Sequence, residues 1–455
     1  MRNIIKALVN IFALVACLSC CLRASAMNST YYLAPRGNDA NSGTRARLPW
    51  RTPNHSVKCG DTIIAAAGSY IGTMNFNYGS WGSVTGTHPC VAFLKCVKAF
   101  ACTVNGGGGP LMFMTASHWG VMGFVFTQTS KSNNYACIQT GSSGLTDFLI
   151  ANNVFTGCYG GATQFADADY VVQVSNIAYN AALQSSQCAS GFPLNTPKNY
   201  DTRVGTHIYF AQLFSWGNQD PNPCAGSTPT DGEGVIFDTW DGHSYVGQGV
   251  IKDTITLWNG SSGIRVDAST KAKIYIYNNT AASNNQSPWL ISGENGEIVT
   301  QGSNNVEVYK NITRTYGKTC CGGNANYNYF LQTPCTGNAV HENFGYSAAG
   351  NHTNGASCSF SFGPHNTFGT DPSFVALPVS PPPAPNCGSY STVPACIAPL
   401  ISNMRATAAG TTGLGYQRVS AAPNYDPLYP QWLCQYSTEL SGLVTQGCLT
   451  DRPSK

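Results

Sequence analysis

Four segments of the chain share one pattern of hydrophobic and polar positions. In each, two apolar residues alternate with their neighbours, a polar corner rich in asparagine follows, and a small or apolar residue comes next; the segments are 148–154, 208–214, 274–280 and 306–312. Alternation with a period of two predicts β-strands, because successive side chains of a strand point to opposite faces. Beyond the N-terminal region no segment keeps a helical period. The pattern therefore predicts an all-β fold with almost no helix.

The spacing of this repeat favours stacked coils. The step from residues 249–253 to 273–276 matches about one coil of a β-solenoid. One coil cannot bury its apolar face alone, so neighbouring coils must stack into a continuous core. Asparagines recur at the corner, where their amides would form a ladder that pairs buried turn groups, at Asn153, Asn279 and Asn311. A β-sandwich with Asn-rich turns is the alternative, and the unequal steps within a preserved frame favour the solenoid.

The N-terminus has the pattern of an export signal. Arg2 and Lys6 precede an apolar run at 7–22, and residues 24–26 form a small-x-small cleavage site. The residues before Cys17 also resemble a bacterial lipoprotein box, which would place a lipid anchor on that cysteine. Soluble export and lipid anchoring are therefore both open, and either places the protein outside the cytoplasm, in the periplasm or beyond. No later stretch is apolar enough to cross a membrane.

Charge along the chain is scarce and balanced. Charged residues make up 10% of the 455 residues, against roughly 25% in an average soluble domain. Lysine and arginine number 24 and aspartate and glutamate 21; three of the basic residues lie in the first 26 positions, which leaves 21 of each sign beyond them. A neutral chain lacks the cationic surface that nucleic acids and anionic membranes require. We expect a monomer with no nucleic-acid partner.

The cysteines agree with export. Of 19 cysteines, three lie in the N-terminal segment, and the remaining 16 are scattered without a CxxC pair or the spacing of a zinc module. An even number in an exported chain predicts disulfide bonds made in an oxidising compartment. The adjacent Cys320 and Cys321 would join two different partners.

The region after these signals resembles a known family. Residues 31–43, Pro49-Trp50, 60–64 and 68–70 are similar to the opening of secreted right-handed parallel β-helix proteins, the pectate-lyase-like group. The resemblance implies a right-handed parallel β-helix over residues 27–370, with an N-terminal cap on the first coil. The group includes lyases, hydrolases and adhesins, so the resemblance predicts the fold more firmly than the activity.

The composition changes at the C-terminal side of this region. Asp371-Pro372 and the proline run 381–385 cannot join a strand ladder. Residues 387–455 hold four cysteines and an aromatic segment at 429–432. We therefore predict three parts, which are a signal peptide at 1–26, the β-helix, and a proline-rich linker with a disulfide-pinned tail at 371–455.

The densest group of ionisable residues lies at 231–243 and 263–271, in two segments that share a frame. The side chains predicted to point inward are all apolar: Val235, Phe237, Ile264 and Val266. Those predicted to point outward on one face are Ile236, Asp238, Arg265 and Asp267. Stacked strands would place the two outward aspartates one ladder step apart, roughly 4.8 Å. At an effective dielectric constant near 20, two carboxylates about 5 Å apart repel by roughly 3 kcal/mol.

A counter-charge or a proton must offset this repulsion, and three arrangements are open. Calcium takes six to eight oxygen ligands, and the candidate ligands are Asp238, Asp241 and Asp267, with Asp231 or Glu233 as additions. Arg265 pairing with both acids in a solvated network is the second arrangement, and a metal-free acid pair is the third.

The resemblance implies a polysaccharide lyase acting on a uronate-containing polymer by β-elimination. Similar calcium-dependent pectate lyases place aspartate ligands on adjacent coils with a basic residue nearby, an arrangement matched here by Asp238 and Asp267. The candidate bases are Lys271, Arg265 and His243, and the candidate substrate-binding residues are Trp240 and Glu233. A glycoside hydrolase using the same two carboxylates and a non-catalytic glycan-binding adhesin are the alternatives.

Overall fold

The computed structural model describes residues 28–76, 84–129, 135–183, 188–220, 231–287, 296–317, 319–320, 324–354, 358, 362–417 and 426–448. The expected signal peptide, the lipid-anchor candidate Cys17, and Cys321 lie outside the described residues. In the described part, no helix is long and apolar enough to span a membrane.

The chain winds into the predicted right-handed parallel β-helix, in which each coil passes through three parallel sheets in turn. Sheet 1 contains Thr30–Leu33, Thr62–Ala65, Ala92–Cys96, Trp119–Met122, Leu145–Ala151, Ala168–Val174, Thr206–Ala211, Gln248–Lys252, Ile274–Tyr277, Val306–Tyr309 and Ala339–His341. Sheet 2 contains Gly68–Ile71, Cys102–Gly106, Phe124–Gln128, Val154–Thr156, Ile177–Tyr179, Phe214–Trp216, Ile255–Leu257, Thr280–Ala282, Ile312–Arg314, Phe344–Tyr346 and Thr367–Phe368. Sheet 3 contains Met74–Phe76, Met112–Met114, Ile138–Thr140, Thr163–Ala166, Phe192–Asn195, Val235–Asp238, Ile264–Asp267, Gly296–Gln301, Tyr327–Gln332 and Thr353–Asn354.

Two short strand pairs lie outside these sheets. Val57–Lys58 pairs in parallel with Val84–Thr85, and Thr319–Cys320 pairs antiparallel with Asn324–Ala325.

The corner between sheets 1 and 2 carries the predicted asparagine ladder. Asn279 Nδ2 donates to Asn311 Oδ1 at 3.0 Å, and Asn311 Nδ2 donates to Asn343 Oδ1 at 3.0 Å. A second ladder joins Asn153 to Asn176 at 3.2 Å. These amides are buried and also donate to main-chain carbonyl groups near the ends of sheet 1 strands. The ladder therefore fixes the turn from coil to coil, as the sequence predicts.

Apolar side chains fill the interior of the coil stack. The four residues predicted to point inward, Val235, Phe237, Ile264 and Val266, are all buried in this core. Register pairs Phe237 with Val266, so the two segments stack in the predicted frame.

Residues 28–58 cap the first coil. The strand Thr30–Leu33 extends sheet 1 at its N-terminal edge, and the buried Trp50 stacks on Tyr31 at 4.6 Å between ring centroids. Gly43 has φ of 68°, and a Cβ atom there would lie 2.2 Å from the Trp50 ring. Only glycine fits both the backbone conformation and the space.

The tail first covers the outer face of sheet 2. Its two short helices are α1 (Val393–Cys396) and α2 (Ala398–Asn403). They belong to one apolar cluster with sheet residues, and the buried tail residues of this cluster are Cys387, Val393, Ile397, Ile401 and Met404. Trp216 Nε1 of sheet 2 donates to the Pro382 carbonyl at 2.9 Å, which ties the proline run to the coil stack.

The tail then covers the outer face of sheet 1. A 3-10 turn at Gln431–Tyr436 lies in this part. Its buried residues pack on the sheet as one cluster, and they are Tyr429, Leu433, Tyr436, Leu440, Leu443, Val444 and Cys448. Two of the three outer faces of the β-helix are therefore apolar and covered.

Six disulfide bonds join described cysteines, which fits an extracellular protein. The pairs are Cys59–Cys90, Cys96–Cys102, Cys137–Cys158, Cys335–Cys358, Cys387–Cys396 and Cys434–Cys448.

Candidate functional site on the outer face of sheet 3

Sheet 3 presents a polar row on its outer face. Neither apolar cluster formed by the described tail includes a residue of this sheet. Consecutive coils place five polar side chains in one register position: Asn195, Asp238, Asp267, Gln301 and Gln332. The described tail covers the outer faces of sheets 1 and 2, so this row lies on the face that the described tail does not cover.

Arg265 is the electrostatic centre of this row. Its Nη1 atom lies 3.1 Å from Glu233 Oε1, and its Nη2 atom lies 3.0 Å from Asp267 Oδ2 and 2.6 Å from Gln301 Oε1. A guanidinium stays protonated in proteins and accepts no hydrogen bond. The expectation that Arg265 acts as a base is therefore corrected, because its position makes it the counter-charge of two acids.

Glu233 lies beneath this face. Its side chain is fully buried, and it accepts a hydrogen bond from Ser190 Oγ at 2.6 Å in addition to its pair with Arg265. A carboxylate enclosed in this way does not reach a bound polymer. The expected substrate-binding role of Glu233 is replaced by a supporting one.

Asp238 and Asp267 differ in their surroundings, although they are neighbours in the ladder. Burial, together with the nearby charge of Asp267, raises the pKa of Asp238. Thr239 Oγ1 donates to Asp238 Oδ1 at 2.8 Å, and Asn195 Nδ2 lies 3.3 Å from its Oδ2. Asp267 is instead ion-paired with Arg265. The pair therefore combines a carboxyl group whose pKa is raised with a carboxyl group that has a cationic partner.

Asp241 does not join this pair. Its Oδ1 accepts hydrogen bonds from the Thr270 backbone amide at 2.9 Å and from Thr270 Oγ1 at 2.8 Å. Among the described residues, Asp238, Asp241 and Asp267 do not form a group whose ligand atoms all lie within 4.8 Å of one another. The residues predicted as calcium ligands thus do not converge into a set that fits the ion.

Trp240 is a core residue. Its indole is completely buried, stacks on Phe237 at 4.6 Å between ring centroids, and meets Tyr245 edge-on at 5.1 Å. The expectation that Trp240 stacks on a sugar ring is wrong, because the 3-10 turn at Trp240–His243 directs the indole inward.

The two remaining candidate bases lie on loops that follow sheet 3 strands. Lys271 is exposed and has no hydrogen bond or ion pair to a described residue. His243 is also exposed, and its Nε2 lies 2.7 Å from Asp167 Oδ1. Partial burial opposes the shift, but this contact with His243 lowers the pKa of Asp167. Asp167 therefore orients the imidazole at the edge of the sheet.

Sequence reasoning missed a cluster of histidines and aspartates at the start of sheet 1. The buried Asp147 accepts from two imidazoles, with His88 Nδ1 at 2.7 Å and His118 Nδ1 at 2.7 Å. The Cys90 backbone amide donates to the same carboxylate at 2.8 Å. Burial acts to raise the pKa of Asp147, but these three contacts lower it overall.

The same cluster continues on the next coils. His207 Nδ1 lies 3.1 Å from Asp169 Oδ1, and both side chains are buried. Tyr170 bridges this pair to Asp201, since its hydroxyl lies 3.0 Å from His207 Nε2 and donates to Asp201 Oδ1 at 3.0 Å. His88 Nε2 lies 3.3 Å from Asp201 Oδ2 and closes the network.

A signal for this cluster exists in the sequence. Asp147 and His207 each stand directly before one of the repeat segments, 148–154 and 208–214. Aligning the repeats would have placed both at the same position of their coils.

Because its acids bind histidines within the fold, we assign the cluster to coil stacking. Cys90 also lies near Asp147 but is bonded to Cys59, so it does not supply a thiolate for a metal.

The cluster makes stability depend on pH. Burial opposes the shift, but the hydrogen bond and charge of Asp169 raise the pKa of His207. A histidine whose pKa is higher in the folded than in the unfolded protein stabilises the fold fully at pH values below its unfolded pKa of about 6.5. This stabilisation is lost as pH rises through the pKa of the folded protein. We expect the melting temperature to fall as pH rises above about 6.5, and this slope to shrink in His207→Gln. Thermal unfolding across pH tests this, with the exposed His365→Gln as control. An unchanged slope in His207→Gln would contradict the assignment.

Comparison with known proteins finds similarity of fold. No model of a protein family and no curated protein matches the sequence. A search of solved structures finds pectate lyase Pel9A, at 13% identity and TM-score 0.46, covering 89% of this chain and 95% of that one. It also finds a GH136 lacto-N-biosidase from Eubacterium ramulus, at 11% identity and TM-score 0.44, covering 82% and 72%. An alginate lyase from a Paenibacillus species matches at 12% identity and TM-score 0.34, covering 68% and 89%. The chain is a right-handed parallel β-helix protein.

Proposed function

We propose that this protein is an exported polysaccharide-active enzyme whose active site is the outer face of sheet 3 around Asp238 and Asp267. The observation that carries the proposal is the contrast within this pair. The environment of Asp238 favours the protonated form, while Asp267 is held beside Arg265. Neighbouring carboxyl groups whose surroundings differ in this way commonly divide the roles of acid and base.

The contrast supports hydrolysis of a glycosidic bond. Asp238 would protonate the leaving oxygen, and Asp267 would act as nucleophile or as the base that activates water. Adjacent ladder positions lie roughly 4.8 Å apart, and carboxyl groups about 5 Å apart are typical of retaining glycosidases. Arg265 would be the counter-charge of Asp267, and the raised pKa of Asp238 suits it to the role of the acid.

The second candidate is β-elimination on a uronate-containing polysaccharide, and the His243–Asp167 pair favours it. An exposed imidazole oriented by a carboxylate is suited to remove the proton next to a uronate carboxylate. Lys271, exposed on the next loop, would be an alternative base or would neutralise the substrate. The predicted calcium ligands do not fit the ion as placed, so neither reaction is routed through a metal.

Product analysis separates the two reactions. Purified protein is incubated with pectate, alginate, glycosaminoglycans and neutral polysaccharides, with and without a chelator. We expect new reducing ends without the absorbance of an unsaturated product, and no effect of the chelator. Unsaturated products would show that the protein is a lyase and not a hydrolase. Loss of activity with the chelator would show that the reaction requires a metal ion. Binding of a polysaccharide without any product would contradict the enzyme proposal and support a non-catalytic glycan-binding protein.

A further inference from the structure

A buried lysine lies where the tail crosses from sheet 2 to sheet 1. Lys252 ends a sheet 1 strand, and its Nζ atom lies 2.8 Å from Asp426 Oδ2 of the tail and 3.3 Å from Asp253 Oδ2. The side chains of Lys252, Asp253 and Asp426 are 6%, 3% and 15% exposed. Two acids and one amine are thus enclosed at a point where distant parts of the chain meet.

Aromatic side chains pack around this group. Tyr209 and Tyr429 are buried and meet edge-on, with ring centroids 5.7 Å apart. Lys252 Nζ lies 5.1 Å above the centre of the Tyr277 ring. Asp253 Oδ1 is buried and has no hydrogen-bond partner among the described residues. Burial of a carboxyl oxygen without a hydrogen-bond donor raises the free energy of the ion-paired state.

The Asp426 carboxyl group is polarised from both sides. Tyr277 OH donates to its Oδ2 at 2.9 Å, and the Leu428 backbone amide donates to its Oδ1 at 2.9 Å. Donors placed on both oxygens stabilise the negative charge that develops when a nucleophile adds to the carboxyl carbon. The amine is already in contact with that carboxyl group, and such positioning corresponds to effective molarities on the order of 10⁵–10⁸ M.

We propose that Lys252 and Asp426 form an intramolecular amide bond that fastens the tail to the β-helix covalently. Nζ attacks Cγ of Asp426, the Nζ–Cγ bond forms, and one Cγ–O bond breaks. The departing oxygen leaves as water with two protons from the ammonium group. Asp253 carries a proton from nitrogen to oxygen and is unchanged at the end.

The charge state of the group sets the limiting step. Burial acts to lower the pKa of Lys252, but Asp253, Asp426 and the surrounding tyrosines raise it overall. The ion pair is therefore the starting state. Burial acts to raise the pKa of Asp426, but its contacts with Lys252 lower it overall. A proton must therefore pass from Lys252 through Asp253 to the Asp426 carboxylate before the neutral amine attacks. Burial raises the pKa of Asp253, which suits it to receive that proton. Amide formation then removes two charges from the enclosed site.

Peptide mapping of the purified, full-length protein tests the bond. After reduction, alkylation and trypsin digestion, an unmodified chain yields separate peptides 204–252 and 253–265, and a C-terminal peptide that starts at Val419 and contains Asp426. The amide would block cleavage at Lys252 and join residues 204–265 to the Asp426 peptide, with a mass lower by one water, about 18 Da. Recovery of the separate peptides in full yield would overturn the proposal.

Three variants sharpen the test. Lys252→Arg keeps the positive charge but has no amine nucleophile, so the separate peptides must appear although the tail stays docked. Asp426→Asn would release ammonia in place of water. Its joined peptide would therefore be lighter than the sum of its separate peptides by about 17 Da. Asp253→Asn removes the proton carrier, and we expect most of its chains to remain unjoined. A fully joined Asp253→Asn protein would show that Asp253 is not the proton carrier.

Discussion

Replacing Asp238 by Asn is expected to lower the rate of polysaccharide cleavage by about 10²–10⁴-fold, the usual contribution of a general acid. The amide keeps the shape of the carboxyl group and still accepts from Thr239, so the fold is retained. Removing one of two adjacent acids also relieves their repulsion. The melting temperature should therefore stay the same or rise.

The pH profile provides a second readout for the same residue. Since the pKa of Asp238 is raised, the wild-type rate should fall as pH rises through that value and the proton is lost. Initial rates across pH for wild type and Asp238→Asn test both points, with Glu342→Gln as control because this half-buried residue follows the last sheet 1 strand and lies outside sheet 3. Full activity in Asp238→Asn would rule out the assigned acid.

Removing the tail after residue 370 is expected to leave the β-helix unable to stay folded and monomeric. Twelve buried tail residues cover the outer faces of sheets 1 and 2. Fully burying a large apolar side chain contributes about 1.5–3 kcal/mol, and without the tail the apolar outer residues of both sheets would be exposed to water. Secreted yield and size-exclusion chromatography measure the result. A soluble monomer that melts at the wild-type temperature would contradict it.

A graded version of this test uses Leu433, which is fully buried against sheet 1. Leu433→Ala should lower the free energy of unfolding by about 2–5 kcal/mol. Leu433→Met keeps most of the volume and should cost less than about 1.5 kcal/mol. Equal effects of the two substitutions would show that the tail packs less closely than the structure indicates.

Local patterning explains why so much of the fold was predictable. The Asn279–Asn311 ladder follows from a residue type that recurs at one corner of each coil. The inward positions of Val235 and Val266 follow from a period of two. In both cases the determinant is a spacing of a few residues that repeats along the chain, which can be recognised without knowing any distant contact.

The candidate site was predicted only in part. The sequence offers a solvated network of Arg265 with Asp238 and Asp267, whereas in the structure the buried Arg265 pairs with Asp267 and with the buried Glu233. Trp240 was expected to face a substrate, and a turn directs it into the core. The Asp147 and His207 cluster was missed, because its members come from coils far apart in sequence.

The sequence by itself determined the strand frame, the corner ladder and which side of the coil is apolar, since each depends on neighbours along one coil. The tertiary structure decided which outer faces the described tail covers, because that depends on where a tail without a repeat packs. It also decided the partners of Lys252 and Asp238. Contacts between side chains dozens of residues apart depend on coil length and loop path, and neither is set by local periodicity.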